Sequence, residues 1–303
     1  MALTFATDPV SVRTPATSAN LGPGFDALGL ALTLYDDLTA RVTPGGFTVS
    51  VIGEGAGELP SDEEHLVVRA MLATFDELGE RPRGLAVECV NRIPQARGLG
   101  SSSAAIVGGV QLARGLVAGG TELIDDEAAL RVAARLEGHP DNVAPCLLGG
   151  FTIAWTEGTG ARAVRLPAHE DVHPKVFIPT ERGYTASARA ALPFEVPHAD
   201  ASFNAGRSAL LTHALTADPS LLLPATADRL HQGYRAEAMP GTASLVASLR
   251  SVGVAAVVSG AGPTVLALSE VPADFHPGSE WRVESLGVDA RGALVKGSMV
   301  ELA

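Results

Sequence analysis

The sequence predicts an α+β protein built from two halves, each with antiparallel strand pairing. The chain has 303 residues, 46% of them hydrophobic, which suits one large domain or two closely associated ones. Strand-like segments dominate roughly the first ninety positions, whereas helical segments dominate the stretch from residue 200 to 252. Because strands and helices occur in runs, this order favours α+β over a βαβα alternation.

Hydrophobic periodicity defines the elements of the first half. Strands are predicted at residues 10–13, 28–34, 38–42, 47–51 and 85–90, and helices at 63–78, 102–117 and 126–137. Asp125 is a good N-cap residue for the last of these helices. Further strands are predicted at residues 150–155 and 176–179.

The second half begins after a segment rich in proline and histidine, residues 167–174, which is the best candidate for a domain junction. The predicted domains are therefore residues 1–166 and 167–303. Pro272 and Pro277 exclude a long helix across residues 269–285. The remaining elements are helices at 200–215, 225–238 and 242–252 and strands at 254–258, 265–268 and 293–300.

Charge and composition exclude several classes of protein. With 34 acidic against 22 basic residues the net charge is −12, which argues against a nucleic-acid or anionic-membrane partner. Lys175 and Lys296 are the only lysines and neither completes a P-loop. Cys89 and Cys146 are isolated, so structural zinc and a disulfide scaffold are not expected. The N-terminal residues lack the features of a signal peptide, so a cytoplasmic location is expected.

The strongest local motif is a glycine- and serine-rich turn between a strand and a helix, with the sequence PQARGLGSSSA at residues 94–104. Gly98 and Gly100 let backbone amides converge on an anion, and the helix that follows presents its N-terminal N–H groups. Phosphate is the natural ligand, and the serine hydroxyls suit phosphate or Mg²⁺. The alternative is an ordinary capped helix after a loop.

Three other segments concentrate polar or small residues. PATSANLGPGFD at residues 15–26 predicts a rigid loop that presents Asn20 and Asp26 to a polar ligand, although alone it would be a turn. SGAGPT at residues 259–264 permits close approach of a ligand or another backbone, but alone reads as a hairpin connection. EGHPDN at residues 137–142 is either a cluster of functional side chains or the solvated end of a helix.

Together the four segments resemble, in order and in residue detail, the motifs of the GHMP small-molecule kinases and, within them, the homoserine kinase family. The strings that carry the resemblance are PATSANLGPGFD, PQARGLGSSSA, EGHPDNVAP followed by GG, and SGAGPTV. The resemblance extends from about residue 10 to residue 268. It implies the two-domain GHMP kinase fold, with an N-terminal half like ribosomal protein S5 domain 2, a ferredoxin-like C-terminal half and the site in the cleft between them.

The resemblance implies ATP-dependent phosphorylation of the side-chain hydroxyl of L-homoserine, which gives O-phospho-L-homoserine on the route to threonine. Mg²⁺ would be held by Glu137 with Ser101 or Ser102. The residues that would hold the ATP phosphates are Pro94, Gln95, Ala96, Arg97, Gly98, Leu99, Gly100, Ser101, Ser102, Ser103 and Ala104. The residues that would bind homoserine are Asn20, Asp26, His139, Asp141, Thr185, Arg189 and Arg235.

The catalytic base is left open. Asp26 or Asp141 could accept the hydroxyl proton, Asn142 stands where some relatives of the superfamily have an aspartate, and the hydroxyl could react without a dedicated base. Two alternatives remain for function: a related kinase for another small alcohol such as mevalonate, and a catalytically silent sensor of an amino acid and nucleotide. A homodimer is a family expectation. Near the expected adenine position, His65 stands where the family usually has asparagine.

Overall fold

The structure, a computed structural model, describes residues 3–183 and 185–296, without the side chains of Thr185, Ala186 and Lys296. A seven-stranded sheet forms its first layer. The order is β11-β1-β2-β4-β3, and β5 pairs with both β2 and β6. Every pairing is antiparallel except that of β3 with β4. The strands are β1 (Val10–Ala19), β2 (Leu28–Val42), β3 (Gly46–Gly53), β4 (Gly84–Asn91), β5 (Phe151–Glu157), β6 (Gly160–Leu166) and β11 (Leu294–Lys296).

A second, four-stranded sheet lies in the C-terminal half. Its order is β10-β7-β9-β8, with every pair antiparallel. Its strands are β7 (Lys175–Pro179), β8 (Ala256–Val258), β9 (Val265–Ala267) and β10 (Trp281–Ser285). The predicted α+β class with antiparallel pairing in both halves is confirmed.

Ten α-helices accompany the sheets in the described part of the chain. Those of the first half are α1 (Leu66–Leu78), α2 (Ser101–Gly115), α3 (Gly120–Leu123), α4 (Asp126–Glu137) and α5 (Pro140–Leu148). Those of the second half are α6 (Thr185–Ala190), α7 (His198–Thr216), α8 (Leu222–Ala225), α9 (Gln232–Arg235) and α10 (Pro240–Ser251). The helix α2 is buried along most of its length and contacts α1, α4, α5 and strand β1, so its N-terminus is held rigidly.

Local capping chemistry explains where two of these helices begin and end. The Asp125 side chain accepts a hydrogen bond from the Ala128 N–H at 2.8 Å, and Gly138 closes α4 in the left-handed conformation, so the predicted helix 126–137 is confirmed to the residue. Helix α1 begins at Leu66, three residues later than predicted, because His65 acts as its N-cap.

The structure corrects the sequence prediction in several places. The first part of the expected loop 15–26 is strand, since β1 continues to Ala19 and pairs with β2, which is one strand rather than two. The helix expected at 225–238 is broken, since α8 ends at Ala225 and α9 begins only at Gln232. The Asp228 carboxylate accepts the N–H groups of Leu230, His231 and Gln232, which holds the segment before α9 out of a continuous helix. Helix α5 and strand β6 were not predicted. Residues 297–300 of the last predicted strand lie outside the described residues.

The chain returns to its first sheet at its end, since β11 pairs with β1. The division into residues 1–166 and 167–303 stays a prediction. Residues 269–285 contain no helix in the described structure, as the prolines predicted. Across residues 3–183 and 185–296, no helix combines the length and the apolar character that crossing a membrane requires.

Candidate active site

Most of the predicted site residues line a single cavity of about 430 Å³. It lies where the phosphate-loop segment 94–100, the loop after β1 and the loop between β8 and β9 meet the N-terminus of α2. Its predicted wall residues are Asn20, Asp26, Pro94, Gln95, Ala96, Arg97, Gly98, Leu99, Gly100, Ser101, Ser102, Glu137, His139, Asp141, Asn142, Arg189 and Arg235. The fold therefore brings segments up to about two hundred residues apart in sequence to one place.

The N-terminus of α2 lies at the wall of this cavity and has the features of an anion-binding site. Gly100 is the N-cap residue and has the left-handed conformation. Within the described chain no side chain accepts a hydrogen bond from the first N–H groups of the helix, and its first turn contains no acidic residue. Its N–H groups and the positive end of its dipole are thus available to a ligand. Ser101 and Ser102 lie at the cavity wall in this first turn, an arrangement suited to phosphate.

Two glycines are needed for this loop to close on its neighbours. Gly98 and Gly100 both have a φ of +72°, which favours glycine. A β-carbon on Gly98 would overlap the Ser259 carbonyl oxygen, and a β-carbon on Gly100 would overlap the Thr17 side chain. The Ser259 hydroxyl also donates to the Gly98 carbonyl at 2.6 Å. The segment 259–264 is therefore both the hairpin connection between β8 and β9 and a close support for the phosphate loop.

Arg97 acts as a positioning residue for the same loop. Its Nε, Nη1 and Nη2 donate to the carbonyl oxygens of Pro179, Gln95 and Thr180 at 2.8–3.0 Å. These bonds tie the loop to the end of strand β7. Its guanidinium is thus committed to backbone oxygens rather than presented as a phosphate ligand.

Glu137, the last residue of α4, meets the first turn of α2. Its Oε1 accepts hydrogen bonds from the Ser102 hydroxyl at 2.7 Å and the Ser103 hydroxyl at 2.9 Å. No group of three or more His, Cys, Asp or Glu side chains in the described residues could hold a metal ion. One carboxylate beside a serine hydroxyl nevertheless fits Mg²⁺, which takes few protein oxygens and completes its shell with phosphate and water.

The helix α5, which follows this segment, places three further polar side chains. His139 Nδ1 and Asp141 Oδ1 are 2.6 Å apart, and the Asp141 side chain is almost completely buried. The hydrogen bond to Asp141 raises the pKa of His139. Burial of the ring lowers this pKa, but the negative charges of Asp141 and Glu137 raise it further. Asn142 Oδ1 accepts the Thr17 hydroxyl at 2.8 Å, so this amide is fixed from strand β1.

The loop after β1 carries Asn20 and Asp26. The Asn20 amide donates to the Gly260 carbonyl at 2.9 Å and its oxygen accepts the Asp26 N–H at 2.9 Å. Asn20 thus joins this loop to the β8–β9 connection. The Asp26 carboxylate forms a bidentate ion pair with Arg189 of α6, which holds the pKa of that arginine above its ordinary value.

Arg235, on α9, is a buried guanidinium at the cavity wall with an exposed fraction of 2%. Its Nε donates to the Ala188 carbonyl at 3.0 Å and Nη1 donates to His231 Nδ1 at 3.1 Å. No carboxylate of the described residues forms an ion pair with it, and burial with the nearby Arg189 charge lowers its pKa. The ring of Phe25 lies under both guanidiniums, with centroid distances of 5.5 and 5.7 Å.

A few residues lie elsewhere than predicted or were missed. Ser103 and Ala104 are fully buried and do not line the cavity, although the Ser103 hydroxyl donates to Glu137. Thr185 begins α6, but its side chain lies outside the described residues. Phe25 and His231, which stack at 5.2 Å beside Arg235, were not singled out because an isolated aromatic or imidazole carries no motif signal.

Comparisons with known proteins identify the family of this chain. The chain matches the family descriptions "GHMP kinases N terminal domain" at residues 65–150 and "GHMP kinases C terminal" at residues 211–275. It is 54% identical over 295 residues to homoserine kinase of Streptomyces coelicolor, covering 96% of both chains. With homoserine kinase of Streptomyces avermitilis the identity is 56% over 295 residues, covering 96% of this chain and 97% of the relative. The crystal structure of homoserine kinase from Cytophaga hutchinsonii is similar, with TM-score 0.81, 26% identity and coverage of 97% and 99%.

Proposed function

The chain belongs to the homoserine kinase family of the GHMP kinases, and we propose from this premise that it transfers the γ-phosphoryl group of ATP to the side-chain hydroxyl of L-homoserine. The product is O-phospho-L-homoserine. One observation carries the proposal: the uncapped N-terminus of α2 and the buried Arg235, which lacks an acidic partner among the described residues, share one cavity. The first suits a phosphate and the second a carboxylate.

The nucleotide side of the reaction is assigned to the segment 94–102. Phosphoryl transfer spreads charge over the equatorial oxygens of the transferring group, so fixed backbone N–H groups stabilise the transition state without a P-loop lysine. Ser102 and Glu137 are the residues that would hold Mg²⁺. When bound, the ion neutralises phosphate charge. Ser103 and Arg97 keep Glu137 and the loop in position from behind.

The substrate side is assigned to the charged and amide side chains of the same cavity wall. Homoserine carries an ammonium and a carboxylate group, so its site needs acceptors for the first and a cationic fork for the second. Asn20, Asp26, His139 and Asp141 supply oxygen or imidazole groups, while Arg189 and Arg235 supply planar guanidinium donors. Arginine binds a carboxylate through two parallel N–H···O bonds, which fixes the orientation of the hydroxyl. Thr185 is retained here as a prediction.

No dedicated base is assigned. Asp26 is paired with Arg189, Asp141 is paired with His139, and Asn142 is a neutral amide that is not basic enough to take up the hydroxyl proton. Asn142 and the groups that bind the ammonium and the carboxylate of the substrate are proposed to hold its hydroxyl in line with the γ-phosphorus. Positioning of this kind accounts for a large part of the barrier reduction when nucleophile and phosphorus are aligned.

The decisive experiment is a coupled ADP-release assay with Mg-ATP and, in parallel, L-homoserine, L-threonine, L-serine and mevalonate. The expected result is turnover with L-homoserine far above that with the other three. Turnover with mevalonate alone would replace the assignment by a kinase for that alcohol. Thermal stabilisation by nucleotide and hydroxy-amino acid without ADP release would instead identify a silent sensor. A homodimer and a cytoplasmic location stay predictions of the sequence.

A further inference from the structure

The imidazole of His231 is completely buried between Arg235 and the loop that follows β1. Arg235 Nη1 donates a hydrogen bond to His231 Nδ1 at 3.1 Å, and His231 Nε2 lies 2.7 Å from the Gly22 carbonyl oxygen. The ring of Phe25 stacks on the imidazole, with 5.2 Å between the two centroids. Both ring nitrogens therefore have a protein partner, so the imidazole does not itself bind a ligand.

The partners of the two nitrogens fix the protonation of this ring. The Gly22 carbonyl oxygen can only accept a hydrogen bond, so Nε2 carries the proton, and the Arg235 guanidinium can only donate, so Nδ1 carries none. Burial lowers the pKa of His231, and the charge of Arg235 lowers it further. The carboxylates of Asp228 and Asp26 and the bond to Gly22 act in the opposite direction. The ring is thus neutral near pH 7.

The guanidinium of Arg235 has three nitrogens, and the protein uses two of them. Nε donates to the Ala188 carbonyl oxygen, and Nη1 donates to His231 Nδ1 and lies 3.4 Å from the Gly260 carbonyl oxygen. Nη2 has no acceptor among the described residues, and it is not one of their enclosed polar atoms that lack a partner. Nη2 is therefore open to the cavity whose wall Arg235 helps to form.

We propose that His231 is a positioning residue for substrate binding: its neutral imidazole accepts the Arg235 Nη1–H group and so holds Nη2 toward the carboxylate of homoserine. The inference rests on the proposed function, because it needs Arg235 to bind that carboxylate. A guanidinium already held in its binding orientation loses less side-chain freedom when the substrate binds. Through the Gly22 carbonyl, the same ring ties Arg235 to the loop that carries Asp26, the acceptor proposed for the substrate ammonium.

Two variants isolate the acceptor at Nδ1. His231→Leu and His231→Asn both remove the donor to Gly22, but only asparagine keeps an oxygen near the position of Nδ1 that can accept the Arg235 N–H group. We expect His231→Leu to raise the KM for L-homoserine on the order of tenfold and His231→Asn to raise it less than about threefold. The KM for ATP should stay within about twofold in both variants. Steady-state kinetics measures both constants, and the thermal midpoint is the control for folding.

A double-mutant cycle shows whether the effect passes through Arg235. In a chain that already carries Arg235→Ala, His231→Leu should change kcat/KM for L-homoserine less than about twofold, because the group that the imidazole orients is gone. A loss of the same size with and without Arg235 would overturn the inference, since it would show that His231 acts only on the stability of the fold. Equal KM values for L-homoserine in His231→Leu and His231→Asn would overturn it as well.

Nitrogen NMR gives a test that does not depend on the leucine variant. With isotope-labelled histidine, a ring nitrogen that carries a proton is distinguished from one that does not, and the His231 signals are those absent from His231→Asn. We expect a protonated Nε2 and an unprotonated Nδ1 at pH 7, and the opposite tautomer or a charged ring would overturn the inference. A chain that does not phosphorylate L-homoserine would overturn the proposed function itself. Normal turnover with no effect at His231 would overturn only the present inference.

Discussion

Asp26 and Arg189 form an ion pair through two parallel hydrogen bonds, 2.9 and 2.8 Å long, at the wall of the candidate site cavity. The proposed function assigns these two side chains to the two charged groups on the α-carbon of the substrate, Asp26 to the ammonium and Arg189 to the carboxylate. A zwitterion that binds there replaces both halves of the internal ion pair at once. A compound with only one of the two charged groups leaves the other side chain without its partner.

The first prediction concerns this requirement for two charges. We expect 4-hydroxybutyrate, which lacks the ammonium, and 3-amino-1-propanol, which lacks the carboxylate, to be phosphorylated with kcat/KM on the order of a hundredfold or more below that of L-homoserine, because each leaves a charged group unpaired. The ADP-release assay measures this ratio. Comparable kcat/KM for all three compounds would show that the charged wall does not select the substrate.

The second prediction concerns Arg189. Its ion pair with Asp26 is well exposed, with exposed fractions of 43% and 36%, so Arg189→Ala should change the free energy of unfolding by no more than about 1 kcal/mol. The KM for homoserine should rise on the order of tenfold, because a charge-assisted contact to the substrate is lost. Arg135→Ala is the matched control, since its ion pair with Glu77 is similarly exposed and outside the cavity. A similar rise of KM in both variants would contradict the assignment.

The third prediction concerns Arg235. Lysine keeps the positive charge at this position but cannot bind a carboxylate through two donors, so Arg235→Lys should raise the KM for homoserine while that for ATP stays near its original value. Arg235→Ala should raise it further, on the order of thirtyfold or more, because a buried charge contact is removed. Steady-state kinetics with each substrate in turn measures the split. An effect on ATP alone would place Arg235 on the nucleotide side.

Local signals explain which parts of the fold the sequence could predict. Asp125 and Gly138 define both ends of α4, so that helix was predicted to the residue. Strand β6 was missed because Arg162 and Arg165 interrupt its apolar pattern, and α5 because Pro145 lies inside it. The helix expected at 225–238 was wrong, because residue propensity does not report the capping bonds that Asp228 makes.

In the candidate site, likewise, residues within one sequence motif could be predicted, whereas contacts between residues far apart in the sequence could not. The phosphate loop is contiguous in sequence, so its residues could be predicted from one motif. The pairing of Asp26 with Arg189 joins residues 163 positions apart, and no local pattern indicates it. The hydrogen bond from His231 to the Gly22 carbonyl likewise joins residues 209 positions apart, and composition and spacing do not report it.

The fourth prediction concerns Glu137. Glu137→Gln retains an oxygen that can accept the Ser102 and Ser103 hydroxyl groups but removes the charge that Mg²⁺ would need. We expect kcat to fall on the order of a hundredfold and the Mg²⁺ concentration for half-maximal rate to rise. Ser103→Ala is the control, because it removes one hydrogen bond to Glu137 but leaves the charge of the carboxylate in place, and it should change kcat by less than about fivefold. Equal losses in the two variants would indicate a structural role for Glu137.

The last prediction concerns Asp36, a buried carboxylate of β2 that accepts the N–H groups of Arg92 and Ile93 at 2.6 and 2.9 Å. Burial raises its pKa to about 6, against the lowering effect of these two bonds. In the unfolded chain the pKa is close to 4. Between about pH 4 and pH 6 the folded chain therefore holds the proton more tightly than the unfolded chain, so folding stability falls as the pH rises through this window.

Asp36→Asn removes that titration while keeping an oxygen acceptor for both N–H groups. The free energy of unfolding of the variant, measured in urea, should increase relative to that of the unmodified chain as the pH rises from about 4 to about 7. The difference between the two chains should change by up to about 3 kcal/mol over this range. Asp37→Asn is the neighbouring control and should be destabilising near pH 7, because it breaks the ion pairs with Arg13 and Arg92. If Asp36→Asn changed the free energy of unfolding by the same amount at both pH values, ionisation of the buried Asp36 carboxylate would not lower the stability of the folded chain, and the prediction would be wrong.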